Sequence, residues 1–224
     1  MTLLHGFMQD GRAWDELVAR LPAEWTYLRP ALAGLSSLPA VAELVPERSH
    51  LIGYSMGGRL ALWLAAQNPD RVLSLTTIGA HAGLEPAERV ARAAADEALA
   101  ERIEREGIEW FAGYWAAQPM FARLAGRADL DAMRRDQEAA AAAAMLRGLG
   151  PAAVDPFWDR LAAITAPALF IAGAEDGRYP ELARRLAAAV PHGRAEIVPG
   201  AGHAVHLENP DAVARLLKAH LSTR

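Results

Sequence analysis

The sequence predicts an α/β architecture: a mostly parallel sheet with helices on both faces and an inserted helical cap. Three observations carry this. Short apolar runs alternate with helical periodicity in the first 80 residues and again from about residue 168 onward. Between them, residues 85 to about 150 are almost wholly helical in pattern and rich in Ala, Arg and Glu. Finally, the apolar strand Leu51-Ile52-Gly53-Tyr54 passes through Ser55 directly into a periodic apolar helix.

Taken in order, residues 2–5 are the stub of a strand, and His5-Gly6-Phe7-Met8-Gln9-Asp10-Gly11 is a glycine-flanked loop. A helix follows with Trp14, Leu17, Val18 and Leu21 on one face. Thr26-Tyr27-Leu28-Arg29-Pro30 reads as a second strand, and a short helix around Val41–Leu44 precedes the strand Ser49–Ile52. Asn68-Pro69-Asp70 closes the next helix, and Val72–Ile78 is a buried strand. The helical stretch breaks at Gly107, Gln118-Pro119, Gly126 and Gly148-Leu149-Gly150. Its alanine run at 139–144, flanked by Met133 and Met145-Leu146, is a packed helix. Alternation then resumes with the strand Ala168–Ala172, the helix Pro180–Val190, the strand Ala195–Val198 and the helix Pro210–Leu221. We read one domain over 1–224, with the cap inserted at about 85–157.

Composition excludes several function classes. The 224 residues are 52% hydrophobic and 22% charged with a formal net charge of -4, which gives no general attraction for nucleic acid or anionic membranes. With no cysteine, disulfides, thiolate catalysis and Cys-ligated metals are ruled out. No run approaches the ~18 apolar residues of a membrane span. The start, Met1-Thr2-Leu3-Leu4-His5-Gly6, lacks the charged opening and long apolar core of a signal peptide, so a cytoplasmic location is expected. Nothing in the sequence calls for a metal or an organic cofactor, or sets an oligomeric state.

The chemistry begins at Gly53-Tyr54-Ser55-Met56-Gly57. A serine on so tight a strand-to-helix turn holds a strained backbone, and small residues on either side prevent clashes. Its hydroxyl is a poor nucleophile and a poor base until a histidine accepts the proton, and that histidine needs a carboxylate to fix its tautomer. Asp176 directly follows the strand ending near Ala172, and His203 follows the strand ending near Val198. The chain order Ser55, Asp176, His203 is that of the α/β-hydrolase fold. Glu175 competes with Asp176, and His206 with His203. Asp176 is favoured because Glu175 lies one step nearer the strand, and His203 because Gly200-Ala201-Gly202 frees it to swing over the serine. The amides of Met56 and of Phe7, in the His5-Gly6-Phe7 loop, are the candidate oxyanion hole.

Arg59 lies one helical turn beyond Ser55, on the serine's side of the helix. An always-charged planar fork beside a catalytic serine points to a carboxylate or phosphate on the substrate.

The stretch Gly53-Tyr54-Ser55-Met56-Gly57-Gly58-Arg59 resembles the elbow of the 2-succinyl-6-hydroxy-2,4-cyclohexadiene-1-carboxylate synthases, α/β-hydrolase-fold enzymes of menaquinone biosynthesis. His81-Ala82-Gly83-Leu84, Gly107-Ile108-Glu109, Tyr114-Trp115, Gln118-Pro119-Met120-Phe121 and Gly202-His203-Ala204-Val205-His206-Leu207-Glu208 continue the resemblance in family order, over nearly the whole chain. The resemblance implies a lyase that eliminates pyruvate from 2-succinyl-5-enolpyruvyl-6-hydroxy-3-cyclohexene-1-carboxylate, using the triad to remove a proton beside the succinyl ketone. It also implies a small polycarboxylate substrate held by Arg59, Arg92 and Arg134, with Tyr54 and Trp115 as further pocket residues. Taken singly, Arg92 and Arg134 read as solvated helix residues and Trp115 as a core aromatic.

The chain also departs from the family. It opens almost at the His-Gly loop, which implies shortened N-terminal strands, and Pro30-Ala31-Leu32-Ala33-Gly34-Leu35-Ser36 stands where the family has an Asp-Leu-Pro-Gly-His-Gly-type loop. Arg178-Tyr179 replaces the family's common Lys-Phe. Two other functions use the same frame: a serine hydrolase, acting on esters or carbon–carbon bonds with Ser55 as covalent nucleophile, and a binding module without catalysis.

Overall fold

Strands buried on both faces need apolar side chains at odd and even positions alike, which suits the central strands, whereas the edge strand over 193–198 carries Arg194 and Glu196 and is only partly buried. In the computed structural model, which describes residues 1–222, the strands are β1 (Thr2–Leu4), β2 (Ser49–Tyr54), β3 (Val72–Ile78), β4 (Ala168–Gly173) and β5 (Gly193–Val198). Among the described residues they form a five-stranded sheet, parallel throughout, in the order β1-β2-β3-β4-β5.

Alternation along the strands sorts the core into two layers. Leu51, Leu75 and Phe170 face α3 (Met56–Gln67) and α7 (Tyr179–Ala189). Leu3, Ile52, Leu169 and Ile171 face Trp14, Leu17 and the helix here called α9 (Pro210–Ser222). Trp14 ends a 3-10 turn at Gly11–Trp14, which runs into the single-turn α1 (Asp15–Val18). Asp10 caps that turn, its carboxylate accepting from the Arg12 amide at 2.8 Å. Val18 is only partly buried.

The strand expected over Thr26–Pro30 does not form. Leu28 alone makes a bridge to Thr2. It accepts from the Leu3 amide at 2.9 Å and donates to Met1 O at 2.8 Å. Pro30 has no N–H to extend the ladder, and the Arg29 side chain turns to Gly11 O and Asp15 instead. The next helix, α2 (Leu38–Glu43), starts three residues earlier than the apolar pattern suggested, with Pro39 in its first turn.

Between β3 and β4 lies the helical block: α4 (Pro86–Ala116), α5 (Ala128–Arg135) and α6 (Ala139–Leu149), with a 3-10 turn at Pro119–Leu124. Helix α4 is kinked at Gly107, whose φ of +82° is not helical. Ala142, Ala143 and Leu146 of α6 pack on Ala100, Ile103 and Phe111 of α4, and Met8 joins them from the first loop. Helix α6 ends within Gly148-Leu149-Gly150, as expected, with Gly148 still inside it. A Cβ there would lie 2.0 Å from Ser36 O, so this glycine serves close approach of helix and loop, and the helix ends at Leu149. The short α8 (Val205–Glu208) then leads to α9.

Candidate active site

Ser55 links β2 to α3 at φ +51° and ψ −111°, a conformation that costs an L-residue strain. The turn closes on itself through glycine. A Cβ on Gly53 would come within 2.3 Å of Gly57 O, and one on Gly57 within 2.1 Å of Leu4 O in β1. The Ser55 amide donates to Ile78 O at 2.8 Å, tying the turn to β3, and Ser55 O accepts from the Arg59 amide at 2.9 Å.

Loops after β4 and β5 bring the other two groups to the hydroxyl. Ser55 Oγ lies 3.0 Å from His203 Nε2, and His203 Nδ1 lies 2.7 Å from Asp176 Oδ2. The imidazole is 1% exposed. Glu175 points outward to an ion pair with Arg123 at 2.5 Å and takes no part in this chain of bonds. His206 is fully buried elsewhere, with its ring against Trp14 and Tyr54. Burial, reinforced by His203, lowers its pKa to about 3, so it is a neutral packing group.

The loop carrying Phe7 is held by His5, whose Nε2 accepts from the Leu32 amide at 3.1 Å and whose Nδ1 lies 2.9 Å from Gly6 O. The imidazole is therefore neutral with its proton on Nδ1, and burial lowers its pKa accordingly. Phe7 and Met56 both line the cavity at Ser55, and no backbone acceptor among the described residues takes either amide.

That cavity has a volume of about 360 Å³ and lies between the sheet and the helical block. All five residues that the resemblance marks for substrate line it: Tyr54, Arg59, Arg92, Trp115 and Arg134. They differ electrostatically. Arg92 is paired with Asp96 at 2.6 Å, and Arg134 with Asp131 at 2.8 Å. Arg59 is 3% exposed, bonds only the Leu149 carbonyl and makes no ion pair among the described residues, although the Asp96 charge acts on it from farther off. Burial pulls its pKa down to about 10, still well above neutral, so the fork keeps its charge. Tyr54 lies under Gly6, where a Cβ would meet its ring at 2.7 Å, and burial raises its pKa. Trp115 packs edge-on against Phe7 with centroids 5.2 Å apart.

Four residues were given no role at the site from the sequence. Tyr179 sets its ring 4.7 Å from that of His203 and lines the cavity. Glu208 accepts from the amides of Gly202 at 2.6 Å and Ala204 at 3.0 Å, which fixes the turn carrying His203. Gly79 and His81, at the end of β3, also line the cavity. A positive φ was the signal to look for at Gly79, but it leaves no mark in sequence beyond the residue type.

Comparison with known proteins agrees with this fold. A family model described as the alpha/beta hydrolase fold matches residues 40–210. The chain is 34% identical to the 2-succinyl-6-hydroxy-2,4-cyclohexadiene-1-carboxylate synthase of Enterobacter sp. strain 638, covering 100% of this chain and 92% of that protein. It is 33% identical to the enzyme of the same name from Klebsiella pneumoniae subsp. pneumoniae, covering 100% of this chain and 94% of that one. Among solved structures, MenH from S. aureus superposes with a TM-score of 0.90 at 24% identity over 98% of this chain and 92% of that one, a likeness of fold. On whole-length identity to these enzymes, the chain belongs to the 2-succinyl-6-hydroxy-2,4-cyclohexadiene-1-carboxylate synthase family of the alpha/beta hydrolase fold.

Proposed function

We propose that the protein is a lyase that eliminates pyruvate from 2-succinyl-5-enolpyruvyl-6-hydroxy-3-cyclohexene-1-carboxylate to give 2-succinyl-6-hydroxy-2,4-cyclohexadiene-1-carboxylate, a step of menaquinone biosynthesis. His203, oriented by Asp176, draws the proton from Ser55 Oγ, and the oxygen removes the proton from the ring carbon that bears the succinyl group. The electron pair of that C–H bond becomes a ring double bond. The existing ring double bond shifts by one position, and the C–O pair departs with enolpyruvate, which takes a proton to become pyruvate. No acyl-enzyme is needed. While the proton is leaving, charge gathers on the succinyl ketone oxygen, and the amides of Phe7 and Met56 are the donors for it. The small polycarboxylates involved do not cross membranes, and the cytoplasm is the compartment proposed. No described helix is long and apolar enough to cross one.

One observation supports the lyase over a hydrolase of neutral esters. Arg59 is a buried, charged fork in the serine's own cavity that makes no ion pair among the described residues, Asp96 acting on it only from beyond ion-pair distance. Leaving a cation desolvated costs several kcal/mol, on the order of what a substrate carboxylate returns when it binds. The test is pyruvate release from the cyclohexene substrate by the purified protein and by Ser55→Ala. The wild type releases pyruvate and the variant loses nearly all of it. A protein that ignores this substrate and rapidly cleaves short p-nitrophenyl esters is a hydrolase instead.

A further inference from the structure

His81 is a buried imidazole in the cavity that the reaction above does not use. Its Nδ1 accepts from the amide of Gly83 at 3.0 Å. An imidazole nitrogen that accepts has no proton of its own, so the proton of the neutral ring is on Nε2. No group among the described residues bonds Nε2, and it is not one of the fully enclosed unpartnered atoms. It is the polar atom His81 offers to the cavity that it lines with Ser55 and Arg59.

The segment that sets this tautomer is fixed on several sides. Gly83 has φ +111°, and a Cβ there would come within 2.4 Å of Pro156 Cα. Gly83 O accepts from Trp158 Nε1 at 3.1 Å, and Ala82 O accepts from the Phe157 amide at 2.9 Å. The Gly83 amide is thus held in place as a donor, and it can be one only while Nδ1 is unprotonated. The surroundings act in the same sense. Burial, then the charges of Arg59 and Arg178, lower the His81 pKa to about 3.

We propose that His81 is a substrate-positioning residue, its Nε2–H donating to the same substrate carboxylate that Arg59 draws into the cavity. Arg59 supplies charge. The uncharged imidazole supplies a second, directional donor without adding another cation beside Arg59 and Arg92. This deepens the lyase reading and rests on it for the identity of the substrate, whereas the carboxylate site itself can be probed without turnover.

The experiment uses the full chain with succinate as the probe, in wild type, His81→Phe and His81→Gln. Phe keeps a flat ring and removes the donor, and Gln places an amide N–H near the position of Nε2. Calorimetric titration is expected to show succinate binding weakened about tenfold in the Phe variant, about 1.4 kcal/mol, and largely restored in the Gln variant. On the cyclohexene substrate, KM rises about tenfold in the Phe variant while kcat holds. In the wild type, nitrogen NMR of the His81 ring shows the Nε2–H tautomer. Three results overturn the proposal: a folded Phe variant that binds succinate as tightly as wild type, an Nδ1–H tautomer, or a wild type with no saturable succinate binding. Failure of the lyase reading is a separate result, in which succinate binds through His81 but no pyruvate is released.

Discussion

The imidazole of His203 stands over Gly79 so closely that a Cβ on the glycine would lie 2.9 Å from Cε1 of the ring. Gly79 has φ +59°, and its amide donates to Ile171 O at 2.9 Å, holding the end of β3 against β4. The ring reaches Ser55 because this position carries no side chain.

Gly79→Ala therefore meets two penalties, a left-handed backbone and a clash with the imidazole. It is expected to lose about 1–3 kcal/mol of stability. Pyruvate release should fall more than about tenfold as the ring is displaced from Ser55. Urea unfolding and steady-state kinetics measure the two effects. Wild-type turnover in the variant contradicts the placement of His203.

Asp176 and its neighbour Glu175 should separate cleanly. Asp176→Asn removes the carboxylate that holds Nδ1–H of His203 and is expected to cost about a thousandfold in kcat. Glu175→Gln breaks only a half-exposed pair with Arg123 and should leave kcat within about twofold. Comparable losses in both variants would mean that the loop, and not one carboxylate, carries the effect.

Arg59→Ala takes away a buried cation of the cavity that makes no ion pair among the described residues. The expected loss in kcat/KM is about a hundredfold, from charge-assisted hydrogen bonds to the substrate carboxylate. Arg59→Lys should lie between the two, since it keeps the charge but not the planar fork that also bonds Leu149 O. If Ala, Lys and Arg give equal kcat/KM, the carboxylate role is wrong.

His206 makes the fold sensitive to acid. Its folded-state pKa is lowered from the ordinary 6.5 to about 3, so between these values the unfolded chain takes up a proton that the folded chain refuses. Stability is thus full above about pH 6.5 and falls as the pH drops through this window, by about 1.4 kcal/mol per pH unit for the one group. His206→Phe should flatten the slope between about pH 6 and pH 4 by that amount in denaturant titrations. An unchanged slope would show that His206 is not the group responsible.

Much of this was readable because backbone demands leave residue types behind. Gly53, Ser55 and Gly57 mark the turn, and an acid and a histidine directly follow apolar runs at Asp176 and His203. Arg59 was placed by helix periodicity alone. Thr26–Pro30 misled because its apolar content suits a strand, while pairing depends on backbone donors and on where Arg29 finds partners. The supporting parts were hidden for a different reason. Glu208 acts through two amides of a loop, and Tyr179 through a ring contact with His203. Nothing in residue spacing announces such long-range contacts. Arg92, Arg134 and Trp115 come from the helical block, and only family resemblance distinguished them from solvated or core residues.

The left-handed φ at Ser55 sets folding and chemistry against each other at a single position. Glycine would adopt that conformation with less strain, yet it has no oxygen to offer. Ser55→Gly would therefore trade turnover for a less strained backbone, which makes position 55 the place where the fold bears a conformational cost for its chemistry.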